Sequence, residues 1–183
     1  MSIIEINHEE ASKIVAGTSG HGIYVLDTET LKIEHEIQNM INRLHPSEFI
    51  SNMFKDSKER LWISSDNGGL TVIDLKSGEP LKDIWGPRTR WVSRDTFSSF
   101  IEDEATGNII IGTTNNGVVI FDEAEGKIRR AKGGPSEYYH IMSMIPNNIA
   151  PNAGDHTYLV GIENDGIKIF DAETENIRDI NFH

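Results

Sequence analysis

Cysteine is absent from this 183-residue sequence, which excludes a disulfide scaffold, a thiolate zinc site and a cysteine nucleophile. Positive charge is scarce: 17 Lys and Arg stand against 29 Asp and Glu, a formal net charge of −12. Such a chain repels a phosphate backbone, and nucleic acid is not expected among its partners. No apolar run approaches the roughly 18 residues of a spanning helix, so direct membrane insertion is not expected. Met1 leads straight into Ser2-Ile3-Ile4-Glu5 with no basic stretch, and no signal peptide is read there. Chemical motifs are missing as well. The seven histidines (8, 21, 35, 45, 140, 156 and 183) form no His-Glu-x-x-His. There is no Asp-x-Asp-x-Asp-Gly loop, no Gly-x-Ser-x-Gly and no P-loop. No catalytic residue, metal ligand or cofactor is therefore assigned.

What the chain does contain is a repeat. Four times it runs small residue, turn residues, glycine, apolar run, aspartate: Gly17–Asp27, Ser64–Asp74, Gly112–Asp122 and Gly161–Asp171. The closing aspartates are 47, 48 and 49 residues apart, a spacing too regular for chance. A short apolar strand precedes each copy (Ile14–Ala16, Leu61–Ile63, Ile109–Ile111, Tyr158–Val160). The turns end in His21-Gly22, Gly68-Gly69, Asn116-Gly117 and Asp165-Gly166, dipeptides suited to tight hairpins. First strands are predicted at Ser2–Ile6, Phe49–Phe54, Phe97–Ile101 and Tyr138–Ile145. Fourth strands are predicted at Lys32–Ile37, Pro80–Trp85, Lys127–Ala131 and Ile177–Phe182.

Runs such as Val118-Val119-Ile120-Phe121 are apolar at consecutive positions, where a sheet with one wet face would alternate. Cover on both faces is implied, and radially stacked four-stranded sheets supply it. The predicted fold is all-β, a β-propeller-type array of four four-stranded antiparallel blades. The blades span about 1–37, 38–85, 86–133 and 134–183, within a single segment 1–183. Four blades can close a small ring; if they do not, two blade faces stay exposed and self-association through them is expected.

The stretch Asp56–Asp74, Asp-Ser-Lys-Glu-Arg-Leu-Trp-Ile-Ser-Ser-Asp-Asn-Gly-Gly-Leu-Thr-Val-Ile-Asp, resembles the two-component regulator propeller repeat. That pattern is roughly D-x-x-G-x-L-W-I-G-T-x-x-G-G-L-x-x-[YF]-[ND]. The third unit is similar at Gly107-Asn108 and Gly112-Thr113. Glu59 stands where the family prefers glycine, Ser64-Ser65 replaces Gly-Thr, and only the second unit keeps the tryptophan. The resemblance implies the extracytoplasmic sensor region of a hybrid two-component histidine kinase, periplasmic within a membrane-anchored receptor. Such regions carry many more blades, so this chain is expected to be part of a larger propeller. It would be a non-catalytic, ligand-sensing piece in signal transduction, and polysaccharide fragments are the ligand class implied. Two alternatives remain: a propeller scaffold for protein–protein interaction, and a small propeller lyase, which would need a His/Glu pair facing the axis.

Candidate ligand residues lie in or immediately beside the connections between blades, Gln38–Glu48, Gly86–Thr96 and Lys132–Glu137. Trp85, Arg88, Arg90, Trp91 and Arg94 interleave aromatic rings with guanidinium forks in an otherwise acidic chain. Rings stack on sugars and forks pair with carboxylates or sulfates. The same tryptophans could instead plug a seam between blades. Tyr139, His140 and His45 are the further candidates for the same mouth. Trp62, mid-strand between aliphatics, reads as core. The repeated Asp27, Asp74, Asp122 and Asp171 read as turn residues accepting backbone N–H bonds.

Overall fold

The computed structural model describes residues 2–8, 11–45, 47–66, 69–85, 95–131, 139–148 and 156–180. The chain divides into two compact units, Met1–Lys82 and Asp83–His183, each holding two antiparallel sheets. In the first unit, β1 (Ser2–His8), β2 (Ala11–Gly17) and β3 (Ile23–Asp27) form one sheet. The second sheet contains β4 (Ile50–Lys55), β5 (Arg60–Ser65), β6 (Gly69–Asp74) and β7 (Glu79–Pro80). In the second unit, β8 (Phe97–Glu102), β9 (Ile109–Thr113), β10 (Gly117–Asp122) and β11 (Lys127–Arg130) make the third sheet. The fourth is β12 (Ile141–Pro146), β13 (Thr157–Ile162), β14 (Gly166–Asp171) and β15 (Asn176–Asp179). Every sheet is an up-and-down meander in chain order, the blade pattern expected from the repeat.

The first sheet departs from expectation at its outer edge. Only Ile33 bridges β3, through Leu26, and the chain then enters α1 (His35–Leu44). Of the predicted strand Lys32–Ile37, only Lys32–Glu34 runs along β3; His35–Ile37 and most of the predicted loop Gln38–Glu48 form one helix. Ile37 and Ile41, four apart on one helix face, are buried among Ile23, Val25 and Ile73. The helix also does the missing strand's hydrogen bonding. Asn42 accepts from Ile23 N–H (3.2 Å) and donates to the Ile23 carbonyl (3.0 Å), while Gln38 accepts from Val25 N–H (3.2 Å). Side chains four residues apart on a helix rise about 6 Å. Alternate residues of a strand rise about 6.8 Å, so two amides in that spacing can address one strand edge.

The second fourth strand is also shorter than predicted. It keeps Glu79–Pro80, and Leu81 N–H donates to the Val72 carbonyl at 2.8 Å. Asp83, at a φ of 56°, turns the chain away. Trp85 bridges Ile128 of β11 in parallel instead, and the Ile128 N–H donates to the Ile84 carbonyl at 2.6 Å.

Turns obey the residue pattern. Oδ1 of each closing aspartate accepts backbone N–H bonds from the turn that follows: Asp27 from Thr30 (2.8 Å), Asp74 from Ser77 (2.8 Å), Asp122 from Ala124 (3.1 Å) and Asp171 from Thr174 (2.8 Å). The Ser77 N–H holds the Asp74 carboxyl below the usual range. Glu59 sits at a φ of 61°, which accounts for the glycine preferred at that place in the repeat pattern.

The first-to-second-strand turns are built on buried carboxylates. Asp56, 2% exposed, accepts from Trp62 Nε1 (2.7 Å), Arg60 Nε (2.6 Å) and the Arg60 and Lys58 N–H groups (2.9 and 3.0 Å). Trp62 is fully buried, as its mid-strand place predicts. Asp103, the counterpart in the third sheet, accepts from Tyr158 (2.8 Å) and Thr106 (2.5 Å) and meets His156 Nδ1 at 3.0 Å. These tie the third sheet to the fourth, and burial together with Asp103 pushes the Tyr158 hydroxyl well above its usual range.

Candidate functional site

In an up-and-down sheet the first and third turns share one end. The second turn shares the opposite end with the segment arriving from the preceding sheet. That second end has a repeated backbone clasp. Gly22 N–H donates to the Glu48 carbonyl (3.0 Å), and Asp66 N–H to the Phe49 carbonyl (3.1 Å). In the second unit Gly117 N–H donates to the Tyr139 carbonyl (3.0 Å), and Glu163 N–H to the His140 carbonyl (2.9 Å). Tyr139-His140 is therefore the structural counterpart of Glu48-Phe49. Both pairs lie on the rim formed by the turns between second and third strands.

In the second unit this rim brings Tyr139 and His140, two of the predicted ligand residues, together with residues of the fourth sheet. His140 Nδ1 lies 2.7 Å from Glu163 Oε2, both side chains about half exposed. Lys168 Nζ sits 6.0 Å from the Tyr139 ring centre and is anchored to Asp179 (2.7 Å) and Asp165 (3.2 Å). Those carboxylates raise the ammonium's pKa and keep it charged. An accessible imidazole–carboxylate pair beside an aromatic ring with a fixed cation can hydrogen-bond hydroxyls and stack on an apolar ring face. Also on this rim, Asp95 is 4% exposed and ties the Thr114–Asn116 turn, accepting from Thr114 Oγ1 (2.9 Å), Asn115 Nδ2 (2.8 Å) and Asn116 Nδ2 (2.5 Å).

The first unit presents similar chemistry at its matching end. A pocket of about 360 Å³ is lined by Gly20, His21, Gly22, Tyr24, Asn42, Ser47 and Glu48. Sequence reading passed over Tyr24 and Glu48, and assigned His21 only to its turn. A larger groove of about 680 Å³ lies along α1 between Lys13, Glu34, Glu36, Ile37, Met40 and Arg43. It was invisible while α1 was read as strand and loop. Lys13 is already committed there, 2.7 Å from Asp27 and 3.6 Å from Glu34. Among the described residues, no three His, Asp or Glu side chains gather to hold a metal ion.

The other predicted site residues are placed differently. Arg88, Arg90, Trp91 and Arg94 lie outside the described residues. Trp85 is half-buried against Phe97, ring centres 6.1 Å apart, beside β11. His45 is corrected outright. It is 2% exposed, because α1 carries it inward to meet Thr71 Oγ1 at 2.8 Å. The rim positions come three residues later, at Glu48.

Burial pushes the His45 imidazole down from 6.5 to about 4, and its Nε2 finds no partner among the described residues. The unfolded chain therefore binds a proton on His45 between pH 6.5 and 4 that the folded chain refuses. Stability is intact above pH 6.5 and falls as pH drops through that window, by up to about 3 kcal/mol. The lowered carboxylates Asp27, Asp74, Asp103 and Asp122 lose their contributions only below it. Urea unfolding at pH 7.5 and 4.5 is expected to show the drop in the wild-type protein and most of it abolished in His45→Gln. Equal drops in both proteins would contradict the assignment.

Compared with known proteins, the sequence matches no family model and no curated protein. Its fold does have counterparts among solved structures. The extracellular domain of the hybrid two-component system BT3049 from B. thetaiotaomicron superposes over 97% of this chain with a TM-score of 0.66 at 18% identity. That of BT4673 from the same organism covers 100% at TM-score 0.65 and 16% identity. The computationally designed protein Ika8 covers 100% at TM-score 0.61 and 13% identity. This chain spans 23%, 22% and 49% of those chains, respectively. At these identities the likeness establishes the fold: a propeller-type array of antiparallel blades. Among the described residues no helix is long and apolar enough to cross a membrane.

Proposed function

We propose that this chain is a non-catalytic, ligand-sensing propeller segment of an extracytoplasmic two-component receptor. Its ligand is a small polyhydroxylated, anionic molecule of the oligosaccharide-fragment class. It binds at the end of the blades that carries the turns between second and third strands. The observation that carries the reading is the likeness, across nearly the whole chain, to extracellular domains described as belonging to hybrid two-component systems. The chemistry of the rim supports the ligand class: Tyr139 beside the Lys168 cation, and the accessible His140–Glu163 pair. The Trp85–Arg94 segment, with Trp91 and three arginines, supplies further stacking and anion-pairing groups by sequence.

Calorimetric titration with sulfated and uronic oligosaccharides tests it. Saturable binding is expected, weakened at least tenfold by Tyr139→Ala and by Trp91→Ala with melting temperatures unchanged. Absence of binding to every anionic and neutral oligosaccharide would sink the ligand class. A small propeller lyase would require a His/Glu pair facing the axis, and His140–Glu163 on the rim is a His/Glu pair to test for that role. Appearance of ultraviolet-absorbing unsaturated ends on uronic oligosaccharides, lost in His140→Ala, would favour that second reading.

A further inference from the structure

The smaller pocket of the first unit stands on a backbone that is tied down from both sides. Gly20 N–H and Gly22 N–H both donate to the Glu48 carbonyl (2.7 and 3.0 Å), and Ile50 N–H donates to the Thr18 carbonyl (2.8 Å). Thr18 Oγ1 closes the turn from within, donating to the Gly22 carbonyl (2.8 Å) and accepting from His21 N–H (3.1 Å). Gly22 lies at a φ of 68°, and a Cβ there would meet Asn42 Oδ1 at 3.3 Å. That amide is itself fixed by both backbone groups of Ile23.

The side chains set on this frame are not used by the fold. The His21 imidazole, the Tyr24 hydroxyl and the Glu48 carboxylate all line the pocket, and among the described residues none of them makes a hydrogen bond or ion pair. His21 and Glu48 are exposed, and Tyr24 is half-buried. Beside them the Phe49 ring, 51% exposed, lies 3.9 Å from where a Cβ on Gly20 would stand. Fixed backbone carrying partnerless polar heads is the arrangement of a site that binds without reorganising.

Size and charge set the ligand class. At about 360 Å³ the pocket is near the small end of the roughly 300–1,000 Å³ of ligand sites, room for one ring rather than a chain. Among the described residues Glu48 is the one acid lining it, and no lysine or arginine joins it. A carboxylate or sulfate would be repelled there, whereas a protonated amine would find a waiting partner. The second unit differs at the matching clasp, where Tyr139-His140 stands beside the Lys168 cation.

We infer that this pocket binds a small hydroxylated ring bearing a protonated amine, the chemistry of an amino sugar. The ammonium pairs with the Glu48 carboxylate, the ring hydroxyls reach Tyr24 and His21, and the Phe49 ring covers an apolar face of the ligand. The inference rests on the first unit alone. It is independent of the anionic ligand proposed for the Tyr139–His140 rim and asks for the opposite charge.

A ¹⁵N chemical-shift titration of the full chain with glucosamine tests it, with glucose, N-acetylglucosamine and glucuronate as comparators. Saturable shifts are expected at the Gly20, His21, Gly22 and Glu48 amides. The comparators lack the ammonium and are expected to bind about tenfold more weakly or less, the worth of one charge-assisted hydrogen bond. Glu48→Gln is expected to weaken glucosamine binding by about tenfold at an unchanged melting temperature, since its side chain holds nothing else. Three outcomes would overturn the inference: no saturable shift with glucosamine, a comparator bound as tightly as glucosamine, or wild-type affinity in Glu48→Gln. The comparators are read on the wild-type protein, so the test stands even where a variant folds poorly. Failure of anionic oligosaccharides to bind at Tyr139 would sink the other reading and leave this one untouched.

Discussion

Asp56→Ala is expected to destabilise the first unit by about 3–5 kcal/mol, the range for removing one partner of a buried ion pair. The carboxylate is 2% exposed and the Arg60 side chain nearly so, and one side chain organises four donors. Its loss strips the compensating charge from Arg60, frees the Trp62 indole N–H in a dry core and loosens the turn that Glu59 already strains. Asp56→Asn keeps the shape and one acceptor oxygen and is expected to cost less. Urea denaturation with tryptophan fluorescence reads both; an Asp56→Ala protein within 1 kcal/mol of wild type would contradict the role given to this carboxylate.

The second large effect is expected at Asn42. Substitution by leucine keeps the volume and helix propensity but leaves both Ile23 backbone groups without their partner in a fully buried position. Each unsatisfied group costs about 1–3 kcal/mol, so losing both in Asn42→Leu is expected to cost about 2–6 kcal/mol. Gln38→Leu removes one bond, from Val25 N–H, and is expected to cost about half as much. Hydrogen exchange adds a local readout, since Ile23 and Val25 amides should exchange faster in the respective variants. Unchanged exchange at both amides would mean that α1 does not substitute for a strand.

Much of the fold was legible because the determinants of a blade are local. A positive-φ glycine, a run of aliphatics and a turn-closing aspartate lie within eleven residues, and each copy repeats them in phase. The segment His35–Leu44 reads as strand and loop in the sequence because the other three copies of the repeat set a fourth strand and a connection there. Ile37, Ile41 and Leu44 recur at helical spacing, but the apolar residues are too few to outweigh the phase of the other three copies. Trp85 departs for a different reason: the turn at Asp83 takes the chain off the second sheet before Trp85 is reached, and Trp85 then pairs with Ile128. The site was less legible. Tyr139 and His140 could be singled out as rim residues, but Glu163 and Lys168 are 23 and more positions away in a turn and a strand. Only register brings them together. His45 looked equivalent by loop position, and the helix shifts that equivalence to Glu48-Phe49.

The central claim is that ligand contact occurs at the end of the blades bearing the Tyr139–His140 rim. Chemical-shift mapping with ¹⁵N-labelled protein and a uronic or sulfated oligosaccharide addresses it directly. Perturbations are expected at Tyr139, His140 and Glu163, with Asp103 and its turn silent. Shifts centred instead on Lys13, Asp27 and Glu34, at the opposite end of the first sheet, would contradict it.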